Sequence, residues 1–170
     1  RRLKRSVHTT NSKHHFRRYP NLAKDFTPLK AHELWVADIT YIPLKHRFAY
    51  LFLITDAYSR KIVGHHVSDD MKVSSATVAL KKALSQKPTQ TIVMHHSDRG
   101  IQYCSTEYVA LLQQHHTLIS MTQNGDPYEN AMAERVNGIL KTELIGKYYN
   151  DIDTAAAHIN RCIIDYNYKR

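Results

Sequence analysis

The chain has 170 residues, 24 Lys or Arg against 15 Asp or Glu, and a formal charge of +9 at neutral pH. That length accommodates one domain with a real hydrophobic interior and at most a short appendage. No apolar run approaches the length of a membrane span, and the basic N-terminus lacks the apolar stretch of a signal peptide. The two cysteines, Cys104 and Cys162, have no metal-ligand spacing and read as reduced thiols of a cytosolic protein.

The charge is concentrated at one end. Residues 1–30 hold nine Lys or Arg against one acid, Asp25, which leaves only +1 for residues 31–170. Such a leader, with Arg17 and Arg18 among its cations, is attracted to a polyanion through phosphate contacts and counterion release; a solubilising linker is the plain alternative. The chain divides accordingly into a basic linker over 1–30, extended or poorly ordered, and a core over 31–170. Because it starts on Arg and stops at Tyr-Lys-Arg, it is expected to be a piece of a longer protein, cut short at its C-terminus.

Leu34–Leu44 (LWVADITYIPL) is rich in β-branched and aromatic residues up to Pro43, and predicts a strand. Phe48–Tyr58 is almost wholly apolar, as in a central strand covered on both faces, and Lys61–Ser68 returns as a third. Short loops make these an antiparallel meander. A helix capped by Ser74 or Ser75 follows and ends before Pro88. Thr91–Ser97 predicts a fourth strand, Glu107–His116 a helix capped by Ser105 or Thr106, with Val109, Leu112 and His116 on one face, and Leu118–Thr122 a fifth strand. A turn-rich loop over Gln123–Asn130 leads into a helix over Ala131–Ile145, and Asp151 or Asp153 starts the last helix. The order is that of an α/β fold: a five-stranded mixed sheet, three antiparallel strands then two parallel, flanked by helices.

Three acids stand out. Asp98 sits where the fourth strand leaves the sheet, the edge at which α/β sheets hold ligands. Asp38 shares a strand face with Val36, Thr40 and Ile42, a costly place for an acid unless it is paired or binds a metal; satisfaction by a backbone amide or an Arg is the alternative. Glu134 lies with Asn130, Asn137 and Lys141 on the polar face of its helix, with no basic residue at i±3 or i±4 to make the usual surface ion pair. Three converging carboxylates would raise one another's pKa values unless cations were bound. Mg²⁺ suits such a site, and two ions can activate a nucleophile and stabilise a leaving oxygen in phosphodiester chemistry.

The segments WVADITYI, TDAYSRKIVG, HSDRGIQY and NGDPYENAMAERVNGILKTEL resemble the integrase catalytic core of bacterial insertion-sequence transposases, relatives of retroviral integrases. The resemblance runs from about Leu34 to Ile145 and includes the thirty-five residues between Asp98 and Glu134. It implies an RNase H-like fold and a catalytic, metal-binding triad of Asp38, Asp98 and Glu134 holding two Mg²⁺ ions, with Mn²⁺ as a substitute. It also implies cleavage of transposon ends by water, followed by attack of the freed 3′-hydroxyl on target DNA. Lys141 matches a DNA-contacting position, and Asn130, Asn137, Tyr128, Arg17 and Arg18 join it as DNA-binding candidates. Self-association of the full-length protein and a bacterial, nucleoid-associated cytoplasmic location follow from the same resemblance. A nuclease that stops at hydrolysis and a non-catalytic nucleic-acid-binding module are the alternatives.

Two signals are set aside. Asp56 ends a strand beside a hairpin turn and reads as a structural turn acid. The twelve histidines include the pairs His14-His15, His65-His66, His95-His96 and His115-His116, but adjacent strand residues point to opposite faces, so no such pair offers two ligands to one ion.

Overall fold

A computed structural model describes residues 14–123, 135, 137–139 and 148–169. Glu134, Lys141, Asn130 and Tyr128, with most of the helix expected over Ala131–Ile145, lie outside the described residues; residues 135 and 137–139 within it are helical.

Strands β1 (Leu34–Pro43), β2 (Phe48–Asp56) and β3 (Ile62–Ser68) form the antiparallel meander, and β4 (Met94–Ser97) and β5 (Leu118–Met121) add to it in parallel. The spatial order is β3-β2-β1-β4-β5, so β1 is the strand at which antiparallel pairing gives way to parallel. Besides the helical residues 135 and 137–139, the helices among the described residues are α1 (Val73–Leu84), α2 (Ile101–Cys104), α3 (Thr106–Gln114) and α4 (Ile152–Tyr168). This is the five-stranded RNase H-like arrangement that the resemblance implies.

Alternation along β1 and β2 builds two cores. Trp35, Ala37, Ile39, Phe52 and Ile54 enter one, closed by α1 and α3; Ile42, Leu51 and Leu53 enter the other, closed by Ile159, Ile163 and Tyr166 of α4. Each large side chain buried this way contributes about 1.5–3 kcal/mol, so burial on both faces explains why β2 is apolar almost throughout. Gly64 of β3 marks the closest approach: a Cβ there would lie 2.3 Å from the Ala79 carbonyl oxygen of α1. Glycine is what lets helix and strand meet.

Several boundaries differ from the expectation. Helix α1 begins at Val73 with Lys72 as N-cap and no side-chain cap bond, so neither Ser74 nor Ser75 caps it. Ser75 instead donates to Asp70 at 2.9 Å and meets the Ser68 hydroxyl at 3.0 Å. Strand β4 is shorter than Thr91–Ser97, because pairing with β1 starts only at Met94 and Ile92 is exposed. In α3, capped by Ser105 as one reading had it, the buried anchors are Tyr108 and Leu112; His116 lies past the helix end with φ 51°. Helix α2 was not anticipated. Four residues carry no periodicity to read, and it forms because the Gly100 carbonyl accepts from the Tyr103 and Cys104 amides.

Residues 14–33 form no strand or helix, yet they are anchored. The Met121 amide donates to the Pro20 carbonyl at 3.1 Å, the Leu22 amide donates to the Ser120 hydroxyl at 2.9 Å, and Phe16 and Tyr19 pack against the first core.

Candidate active site

The register between β1 and β4 places the two aspartates. Leu34 pairs with Met94, Trp35 with His95 and Val36 with His96, a constant offset of sixty. Continued by two residues, the same offset sets Asp38 level with Asp98, the first residue past β4. Neighbouring strands lie about 4.8 Å apart, and residues level with each other share a face. Both acids are half-exposed, on the face that α4 covers farther along the sheet.

Their surroundings agree with this placement. The Gly100 amide donates to Asp98 Oδ1 at 2.8 Å, tying the carboxylate to the turn that opens α2. Asn137 Nδ2 donates to Asp38 Oδ2, and Ile139, two residues on, packs against the second core, so residues 137–139 are seated on the sheet over Asp38. The buried Tyr103 phenol is held well above its ordinary pKa by burial, then by Tyr108, Asp98 and Asp38. Both carboxylates thus act on one hydroxyl. Burial, followed by the charge of Asp98, pushes the Cys104 thiol up to about 11, against the pull of Arg18 and Arg99. Both cysteines are buried thiols outside any disulfide.

Other candidates fall into place. Asp56, fully buried, accepts from the His32 amide at 3.1 Å and from the Ser59 amide at 3.1 Å, which makes it a structural acid. His65 meets Asn160 of α4 at 2.7 Å, whereas Lys82 of α1 depresses its neighbour His66 after burial has done so. His95 pairs with Tyr108 at 3.0 Å, and His96 with Ser120 at 2.8 Å. Neither pair offers two ligands to one ion. Arg17 stacks over Tyr19 at 5.0 Å, and Arg17 and Arg18 are exposed. Asn137 is buried and turned to Asp38; sequence reasoning named it for its helix face but missed the contact, which the Glu134-to-Asn137 spacing on one polar face could have suggested.

Among the described residues, no group of three or more His, Cys, Asp or Glu stands ready to hold a metal ion. Asp38 and Asp98 make a pair of carboxylates, one short of such a group, and both are hard oxygen donors. Beside Asp38, Asn137 Oδ1 is buried and, among the described residues, without a hydrogen-bond partner. An all-oxygen set with a spare buried acceptor fits a hard divalent cation.

Comparison with known proteins places this geometry. The integrase core domain family matches residues 28–127, and a second family, also described as an integrase core domain, matches residues 115–170. The transposase for insertion sequence element IS629 of Shigella sonnei is 37% identical over 142 residues, covering 83% of this chain and 47% of that protein. The chain spans about half the length of the curated relatives it matches. Among solved structures, the simian T-cell lymphotropic virus intasome in complex with PP2A regulatory subunit B56 gamma matches with a TM-score of 0.72 and 22% identity, over 95% of this chain and 56% of that one. The HTLV-2 integrase catalytic core domain in complex with magnesium matches with a TM-score of 0.63 and 22% identity, over 81% and 86%. These two likenesses are of fold. The chain belongs to the integrase core domain family and is related to the transposases of bacterial insertion sequences.

Proposed function

We propose that this domain is the catalytic core of an insertion-sequence transposase, a DDE-type polynucleotidyl transferase that cleaves DNA strands at transposon ends and joins the freed 3′-hydroxyls to target DNA. The observation that carries the reading is the parallel pairing of β1 with β4, whose offset of sixty, continued past Val36 and His96, sets Asp38 level with Asp98 just past the end of β4. Glu134 is the third carboxylate. Its support is indirect: Asn137, three residues on and on the same face by helical periodicity, bonds Asp38.

Asp38, Asp98 and Glu134 would hold divalent magnesium, or Mn²⁺ in its place, which when bound would supply charge neutralisation at the phosphate and activation of the attacking oxygen. The related HTLV-2 core is described with magnesium, which supports this choice of cation. The chain's own part is to hold the oxygens still. Asp98 is tied to its turn by Gly100 and Asp38 to the helix by Asn137, while residues 31–170 form the core and the basic linker over 1–30 brings DNA toward it. Arg17 and Arg18 contact the DNA backbone, and Lys141, Asn130 and Tyr128 contact the strand near Glu134. The full-length protein self-associates to pair two ends, in the bacterial cytoplasm at the nucleoid. No described helix is long and apolar enough to cross a membrane.

The test is a joining assay with a labelled duplex bearing a recessed 3′-hydroxyl and Mg²⁺ or Mn²⁺. Covalent transfer to a second duplex that requires Asp38, Asp98 and Glu134 is the expected result. Nicking without joining points to a hydrolytic nuclease, and DNA binding with neither reaction points to a non-catalytic module.

A further inference from the structure

Asn137 is a costly residue for the place it occupies. It lies on a helical stretch seated against the sheet, it is buried, and Ile139 beside it packs on the apolar cluster that includes Leu53, the cross-strand partner of Asp38. An apolar side chain would suit that slot better. Instead an amide is buried there, and its Oδ1 has no hydrogen-bond partner among the described residues. Buried polar atoms are nearly always paired, so a buried acceptor without a partner calls for a reason.

Asp38 supplies it. A carboxylate can only accept, so the amide must present its Nδ2 to Asp38 Oδ2, and this turns Oδ1 away from that oxygen. We infer that Asn137 is a positioning residue for the cation site: its amide fixes the rotamer of the Asp38 carboxylate before any ion arrives, and its Oδ1 accepts a hydrogen bond from a water or hydroxyl at the occupied site. The inference rests on the metal-dependent reading above and assigns Asn137 a role other than direct DNA contact. Outer groups that orient metal-binding oxygens set affinity, and their loss costs about ten- to a hundredfold.

The experiment is Mn²⁺ titration of the 170-residue chain, followed by electron paramagnetic resonance without DNA. Asn137→Leu removes donor and acceptor at similar volume, and Asn137→Ala, safe in a helix, is the second variant should leucine disturb folding. Each is expected to weaken Mn²⁺ binding at least about tenfold, with an unchanged circular dichroism spectrum. In an Asp38→Asn background the same change is expected to add nothing, because its effect passes through Asp38. Wild-type affinity in the folded variants overturns the inference, as does equal weakening in both backgrounds. So does weakened DNA binding at unchanged Mn²⁺ affinity, which makes Asn137 a DNA contact. Failure of the wild-type chain to bind Mn²⁺ overturns the functional reading itself, a result distinct from a bound ion that ignores Asn137.

Discussion

Asp56 and Asp98 both stand where a strand leaves the sheet, and both are followed by a turn carrying an arginine, Arg60 or Arg99. Their fates differ. Asp56 is fully buried; its oxygens accept from His32 and Ser59, and its backbone carbonyl accepts from Arg60 at 2.9 Å. Two of those partners, His32 and Arg60, have φ of 66° and 67°, a left-handed conformation that costs a non-glycine residue about 1–3 kcal/mol unless the surroundings enforce it. Asp56 enforces it. Asp98 keeps contact with solvent, receives the Gly100 amide and, by the β1–β4 register continued past His96, comes level with Asp38. An acid saturated by backbone amides holds a fold together, whereas an exposed acid facing another acid is placed for a cation.

Substitution by amide breaks the two cases in opposite directions. In Asp38→Asn or Asp98→Asn an oxygen remains to accept from Asn137 or Gly100, so the fold is expected to survive with a Tm within a few degrees of wild type. Strand joining is expected to fall roughly a thousandfold or more, about 4 kcal/mol of barrier. Joining within tenfold of wild type in either variant removes the aspartate pair from the chemistry. For Asp56→Asn the order reverses. The new NH₂ replaces one acceptor oxygen, leaving the His32 or the Ser59 amide buried and unpaired, while the Arg60 amide keeps the unchanged backbone carbonyl. A loss of about 2–4 kcal/mol in urea unfolding is expected, with joining per folded molecule unchanged. An unfolding midpoint equal to wild type would erase the distinction.

Much of this contrast was legible beforehand, for identifiable reasons. Asp38 was conspicuous because an acid inside an apolar, β-branched run is costly, and Asp98 because it follows a buried run at a strand's end. Asp56 could be read as structural from the hairpin turn beside it. The antiparallel meander followed from the short loops, and the helical crossovers allowed parallel strands after it; that β4 pairs with β1 was not legible from connection lengths. Lys72 as the α1 cap was not legible, because Ser75 is drawn into a network with Ser68 and Asp70 that exists only once β3 and α1 are folded. Nor was the bond from Asn137 to Asp38, which spans ninety-nine residues and depends on how a helix is seated on the sheet. Side-chain partners set by tertiary register leave no local periodicity.

Gly64 sharpens the contrast from the stability side alone, two strands from Asp38 and on the face of the sheet that α1 covers. Gly64→Ala drives a methyl into the Ala79 carbonyl oxygen, and the neighbour is backbone that cannot rotate away. Overpacking of this kind costs about 1–3 kcal/mol. Chemical denaturation is expected to show that loss, and normal joining by the folded protein is expected alongside it. A variant as stable as wild type would mean that α1 slides outward freely, and that the β3–α1 contact contributes little.

The smallest expected effect concerns His95, buried three residues before Asp98 and bonded to Tyr108. Burial, then the neighbouring His96, depresses it from 6.5 to about 3. The unfolded chain therefore takes up a proton near pH 6.5 that the folded chain refuses until about pH 3. Stability from this source is complete above pH 6.5 and is lost progressively as pH falls through that window, by at most about 1.4 kcal/mol per pH unit for one group. His65 and His66, also lowered first by burial, add with the same sign, so the wild-type slope is a sum. Asp70, held down at about 2 by Lys72, loses its contribution only below the ordinary carboxylate range, so a urea series between about pH 4.5 and 6.5 isolates the histidines. His95→Gln keeps an acceptor for the Tyr108 hydroxyl and removes the titration. Its slope is expected to be shallower by up to one proton, with joining at neutral pH unchanged. An unaltered slope would place the acid sensitivity on the β3 histidines, and a loss of joining at constant stability would move His95 from the scaffold into the site.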